Sequence, residues 1–340
     1  MVNFPYVMIF SFTMIFGSIF SLSSSHWFGV WLGLEINLLS FIPIMVEKGG
    51  SLETECAIKY FLVQAVGSAL FMLGILTLTN SFTSWGYSLD GSVSSTSLIF
   101  FGLLIKLGAA PFHLWVPGVV SGLSWMCNFL LLTWQKVAPL MVLSSFLALS
   151  KFSLLFLIVM SSVFGGAGGV NQSSIRGIVA YSSILHLGWV MAASYLSFIF
   201  TFFYFFLYSL ILGGMFITMM RWEIFTGGQF LNIYSWGSED RMFLLFMLLS
   251  LGGMPPLLGF FGKWGVLAGL TDSGEVMVSM ILVFGSLASL YYYLVLSFSL
   301  LAGVKLIPKN LGVNMMMVKV VVAFLNFGGL SFFLWFLGTF

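Results

Sequence analysis

Charge is what this 340-residue chain has least of: Asp, Glu, Lys and Arg together make up 6% of it, where a soluble globular domain carries about a quarter. With 60% hydrophobic residues and a mean hydropathy of +1.11, the chain is expected to live in a lipid bilayer. The net charge of +2 is small and scattered. No basic face follows a phosphate backbone, which excludes nucleic acid as a partner. Cysteine is equally scarce. Cys56 and Cys127 are too few for a structural zinc site or an iron–sulfur cluster and are expected to be packing residues. Short segments of alternating polarity, the mark of a transmembrane barrel, are missing. A phosphate-binding loop is missing too. The run Gly165-Gly166-Ala167-Gly168-Gly169 follows no strand and lacks dinucleotide-loop spacing, so it is expected to mark a tight helix exit. No metal or cofactor site is legible, so any energy source must come from a partner.

What the chain does have is long apolar runs. They predict eleven spans, at about 3–22, 26–46, 56–79, 94–117, 122–148, 152–170, 174–195, 197–220, 241–268, 276–302 and 318–338. The expected fold is therefore a single all-α integral membrane domain over residues 1–340. Residues 1–22 have no basic leader and no small-residue cleavage site, so they read as a retained first helix. Loop cations set the orientation. Lys48, Arg176, Arg221, Arg241, Lys305, Lys309 and Lys319 fall on the N-terminal side and only Lys151 on the other, which puts the N-terminus on the cytoplasmic or matrix side and the C-terminus opposite. Lys59, about a turn inside the third span, can reach back to that face with Glu55 as its i,i+4 partner.

Other ionisable groups lie too deep for that. Glu35, Lys106, Lys136, His186 and Lys263 sit within the second, fourth, fifth, seventh and ninth spans. A lysine at the centre of a membrane helix costs roughly 2.5 to 3.5 kcal/mol, so it persists mainly where something faces it or water reaches it. Function outweighs a static buried pair for such a set. Polar neighbours extend it: Gln64 and Ser68 in the third span, Asn128 and Gln135 on one face of the fifth, and Ser182 a turn before His186.

Two spans are also interrupted. Lys106 stands beside Gly108 and Pro111, and the ninth span reads Gly252-Gly253-Met254-Pro255-Pro256 ahead of Lys263. Proline removes a backbone donor and clashes with the preceding turn, so both helices should break near mid-membrane and line an enclosed, hydrated cavity. Each break falls in the fourth span of a set of five, residues 3–148 and 152–302, with an extra helix at 318–338. Five is odd, so the two sets would be inverted repeats, and paired broken helices point to a transport route between Lys106 and Lys263. Three ammonium groups along it disfavour sodium or potassium. A proton fits better, because burial brings the two protonation states of a lysine or carboxylate closer and a neighbouring opposite charge reverses the shift.

These stretches resemble the antiporter-like membrane subunits of respiratory complex I (NADH:ubiquinone oxidoreductase), specifically the mitochondrial subunit 2 family. The carrying segments are WLGLEINLLSFIP at 31–43, IKYFLVQAVGS at 58–68, KLGAAPFHLWVP at 106–117, TWQKVAPL at 133–140, NQSSIRGIVAYSSILHLGW at 171–189 and GMPPLLGFFGKW at 253–264. The resemblance implies that Glu35 and Lys106 are the family's carboxylate–lysine pair, that Lys136 is its central-axis lysine, and that Lys263 lies at the second broken helix. It also implies a mitochondrial inner-membrane location among the other subunits of complex I, including neighbouring antiporter-like ones. NADH, FMN, iron–sulfur clusters and ubiquinone would be used by other subunits and none bound by this chain, which would carry protons driven by quinone reduction. Gly118, Gly177 and Gly262 depart from the pattern, standing where many relatives have an acidic residue, a lysine and a proline. The alternative is a Mrp-like cation/proton antiporter subunit, with the same fold and a different driving force.

Overall fold

The structure, a computed structural model, describes residues 4–47, 49–81, 93–146, 151–222, 238–255 and 257–301, together with Asn326. The eleventh expected span, apart from Asn326, lies outside these residues, as do Lys48, Lys305, Lys309 and Lys319. The chain folds into two compact units, Met1–Lys151 and Phe152–Phe340. Among the described residues both are helical throughout. Eight helical stretches among the described residues are long and apolar enough to cross a membrane. Two more are built from half-helices.

The first unit contains α1 (Phe4–Ser23), α2 (Trp27–Met45), α3 (Ser51–Ser81), the broken pair α4 (Val93–Leu107) and α5 (Trp115–Val120), then α6 (Trp125–Leu132) and α7 (Trp134–Phe146). Lipid tails are as apolar as leucine, so helices in a bilayer associate by close packing of small residues rather than by hydrophobic exclusion. The closest approaches here follow that rule. A Cβ built on Gly17 of α1 would lie 2.9 Å from the Gly33 carbonyl of α2, and one on Gly102 of α4 would lie 2.8 Å from the Gly67 carbonyl of α3. The expected fifth span is interrupted at Thr133, between α6 and α7. Pro139 lies inside α7 and leaves the Gln135 carbonyl without its helical donor, and the Lys136 amide turns instead to Thr133 at 3.1 Å.

The second unit contains α8 (Lys151–Val170), α9 (Ile175–Leu196), α10 (Phe198–Trp222), the broken pair α11 (Ser238–Gly252) and α12 (Leu258–Asp272), and α13 (Val276–Leu301). Ser174 caps α9 by accepting the Gly177 amide at 3.2 Å. A side chain on Gly177 would crowd the Ser174 hydroxyl and Gln172, which is a local reason for glycine there. α9 is the pillar of the unit, buried on almost every side. The glycine run 165–169 forms the last turn of α8, which ends at Val170, and it packs closely as well. There Gly165 meets the Leu185 backbone of α9 and Gly169 meets the Tyr292 ring of α13.

Candidate functional site

Both breaks are made by glycine, upstream of the prolines that the sequence pointed to. At the end of α4 the Ala109 amide bonds back to Leu104 and the Gly108 amide to Ile105, both at 3.2 Å, with Gly108 at φ +69°. At the end of α11 the Met254 amide bonds to Leu249 at 3.1 Å and the Gly253 amide to Ser250 at 3.0 Å, with Gly253 at φ +86°. This is the same reversal twice: a left-handed residue lets two amides fold back on the last turn, a conformation that glycine adopts without a Cβ clash. Pro111 and Pro255 follow, where the helix has already stopped.

A half-helix that ends inside a membrane leaves carbonyls that lipid cannot satisfy. In the first unit they are met by neutral donors: Trp115 Nε1 donates to the Ile105 carbonyl and Gln64 Nε2 to the Lys106 carbonyl, each at 3.2 Å. In the second unit the donor is an ionisable side chain. Lys263 Nζ bonds the Leu251 carbonyl at 3.2 Å and the Gly252 carbonyl at 3.0 Å. The two lysines are therefore not equivalents, since Lys106 sits just before its break and Lys263 reaches back to its break from α12.

Lys106 and Lys136 line a cavity of about 20 Å³ together with Asn37, Tyr60, Gln64 and Gln135. A cavity needs about 10 to 15 Å³ to hold one water, so there is room for one with polar partners on several sides. Gln135 Nε2 donates to Asn37 Oδ1 at 3.0 Å and Tyr60 OH to Gln135 Oε1 at 3.3 Å, which ties α2, α3 and α7 around the cavity. Lys136 Nζ is buried without a hydrogen-bond partner among the described residues. Gln135 and Asn128 do not act together as their spacing suggested. The irregularity at Thr133 separates them, and Asn128 Nδ2 instead bonds the Val120 and Leu123 carbonyls.

Glu35 is only partly covered and makes no direct ion pair with Lys106, although it lies near enough to act electrostatically on Lys106 and Tyr60. The Glu55–Lys59 pair is formed at 2.6 Å and exposed. In the second unit His186 Nδ1 lies 3.0 Å from the Tyr204 hydroxyl, and its ring packs 4.7 Å from that of Tyr208. A side chain on Gly262 would meet Tyr204 at 3.1 Å, so the glycine leaves room for that ring. Ser250 accepts the Gly259 amide at 3.3 Å and donates to Asn326 at 2.9 Å, joining both halves of the second break. Lys106, Lys136, His186 and Lys263 are between 4% and 7% exposed, which removes solvent as their partner.

Reading the sequence for charge alone missed Asn37, Tyr60, Trp115, Tyr204, Ser250 and Asn326. Their signal was polarity at bilayer depth, weaker per residue but of the same kind.

Comparison with known proteins places this geometry among relatives. The sequence profile of a family described as NADH:quinone oxidoreductase/Mrp antiporter, transmembrane, matches residues 24–289. NADH-ubiquinone oxidoreductase chain 2 of Anopheles gambiae is 38% identical over 328 residues, covering 95% of each chain. The protein of that name from Branchiostoma lanceolatum is 40% identical over 301 residues, 86% of each. A chain in the structure of respiratory complex I from Thermus thermophilus with bound aureothin superposes with a TM-score of 0.87 at 26% identity, over 95% of this chain and 78% of that one. A chain of the Mrp complex from Dietzia sp. DQ12-45-1b shares the fold, with a TM-score of 0.79 at 16% identity over 87% of this chain and 60% of its own.

Proposed function

Because the chain belongs to the NADH:quinone oxidoreductase/Mrp antiporter transmembrane family, we propose that it is a membrane-arm subunit of a proton-translocating NADH:ubiquinone oxidoreductase. It sits in the mitochondrial inner membrane with its N-terminus in the matrix, among the other subunits of the complex. The electron-carrying groups belong to those subunits. This chain moves protons.

The observation that carries the reading is that three lysines and a histidine stay buried at bilayer depth, two of the lysines at helix breaks and two lining one cavity. A structural role would favour pairing each charge with a carboxylate, because an unpaired buried charge is costly. A proton carrier needs the opposite: groups able to hold either protonation state, with a water or hydroxyl between them. In the first unit Glu35, Lys106 and Lys136 are the carriers, and the cavity that both lysines line with Asn37, Tyr60 and Gln135 has room for a water to pass the proton. In the second, Lys263 and His186 are the carriers, with the Tyr204 hydroxyl at His186. A charge moved in the quinone-reducing subunits shifts the first carrier, and each shift changes the field at the next.

Purification followed by reconstitution tests this. A large assembly with NADH:quinone activity that acidifies vesicles, and that loses both on Lys106→Met while still assembling, supports the reading. A small complex exchanging cations for protons without NADH would establish the Mrp-like alternative, and normal proton movement in Lys106→Met would overturn both.

A further inference from the structure

The two breaks share one backbone geometry and differ in how they are capped, and that difference has a functional consequence. The C-terminal end of a helix carries about half a negative charge on its open carbonyls, which a cation nearby stabilises. At α11 the cation is supplied by Lys263, bonded to the Leu251 and Gly252 carbonyls, with its stem lying across Gly253 so closely that a Cβ there would fall 2.8 Å from Nζ. At α4 the caps are an indole and a carboxamide, Trp115 and Gln64, which neither gain nor lose a proton at any physiological pH. An ammonium donates charge-assisted hydrogen bonds roughly twice as strong as those of a neutral amine, and an amine also loses the attraction of the helix end.

We propose that the Lys263 ammonium is a removable cap of α11: the second break is held closed while Lys263 carries its proton and loosens when that proton leaves, whereas the first break stays closed throughout. The proposal deepens the proton-carrying reading and rests on it for its purpose. Protonation of one side chain then sets the backbone of the half-helix that borders the route, so uptake and gating are one event. Ser250, bonded to Gly259 and to Asn326, ties the two half-helices together while the cap is off.

The elements packed against α12 are α9, α10, α11 and α13. The buried titratable groups those helices carry include Arg176 and His186 on α9, Tyr204 and Tyr208 on α10, and Tyr292 and Tyr293 on α13. The charges of α11, Glu239, Asp240 and Arg241, lie in its first turn, at the far end from the break. Tyrosine ordinarily titrates near pH 10 and histidine near pH 6.5, so His186 is the neighbour that needs its own control.

Amide hydrogen exchange on the intact purified complex tests the cap. The segment 249–259 is followed from about pH 6 to pH 9, with 104–114 as the reference that cancels the chemical pH dependence of exchange. The wild-type ratio of the two rates is expected to rise about tenfold across the range, the effect of losing one hydrogen bond to a charged donor. In Lys263→Arg, whose charge never leaves, the ratio stays low and flat; in Lys263→Met it is high and flat; in His186→Gln it follows wild type. A flat wild-type ratio, or a wild-type rise that survives in Lys263→Arg, overturns the cap, and Lys263→Arg decides even where Lys263→Met fails to assemble. Vesicle acidification by the same preparations separates the two ideas. A flat wild-type ratio with normal acidification overturns the cap and leaves proton carriage standing. Normal acidification by a Lys263→Arg complex with a flat ratio overturns the claim that uptake and gating are one event and removes Lys263 from the carriers.

Discussion

Replacing Lys136 with methionine separates a working lysine from a structural one. The Lys136 ammonium is 4% exposed, lines the cavity beside Lys106, and has no acceptor within bonding distance among the described residues. A buried polar group without a partner costs about 1 to 3 kcal/mol, and more when charged. Methionine has a similar length and no polar hydrogen, so Lys136→Met relieves that cost while filling much the same space. The expected outcome is a complex that assembles fully and whose thermal midpoint in detergent stays level or rises. Its NADH:quinone turnover and its vesicle acidification should fall together by about two orders of magnitude, the scale of removing a positioned proton-transfer group. The assay pairs native-gel assembly and a melting curve with dye-reported acidification on one preparation. A lower melting midpoint or poor assembly would refute the reasoning, since it would mean that a hidden acceptor holds the ammonium. So would normal acidification.

Gln64→Leu should leave the Lys106 carbonyl unpartnered and cost about 1 to 3 kcal/mol, read as faster exchange at 104–110 with the cavity lysines unchanged. Gly165→Val should fail more severely. Its Cβ would fall 2.5 Å from the Leu185 backbone amide, and because backbone cannot yield as a side chain can, native-gel assembly is expected to drop sharply. Tyr204→Phe keeps the ring beside Gly262 and removes only the hydroxyl facing His186, so assembly should hold while turnover falls several-fold. Glu55→Gln should change neither stability nor turnover measurably, because the Glu55–Lys59 pair is exposed on both sides.

The membrane class and the charged members of the site were legible in the sequence because their cost is a property of one residue in its span. Lys106, Lys136, His186 and Lys263 could be singled out by depth alone, and all four are buried. The exact stop of each half-helix was not legible. It depends on the sign of φ at Gly108 and Gly253, and composition pointed to the more conspicuous prolines. The glycines of α8 were legible only in half: glycine serves both to end a helix and to let one press on another, and the presence of Leu185 and Tyr292 against them adds the second role to the first. Contacts between residues far apart in sequence, such as Gln135 with Asn37 or Ser250 with Asn326, carry no local pattern to read.

The position of α9 sets how each helix can tolerate inherited change. Residues on the outward faces of α1, such as Phe12 and Ile19, look away from their own chain, and one greasy side chain there can replace another with little effect. Nothing comparable is open to a helix wrapped all round by its neighbours. From Ile175 to Ser194 a larger group has nowhere to go and a smaller one leaves a void. Neutral variation in natural populations should therefore thin out along α9 and gather on α1, a pattern that sequencing alone can check.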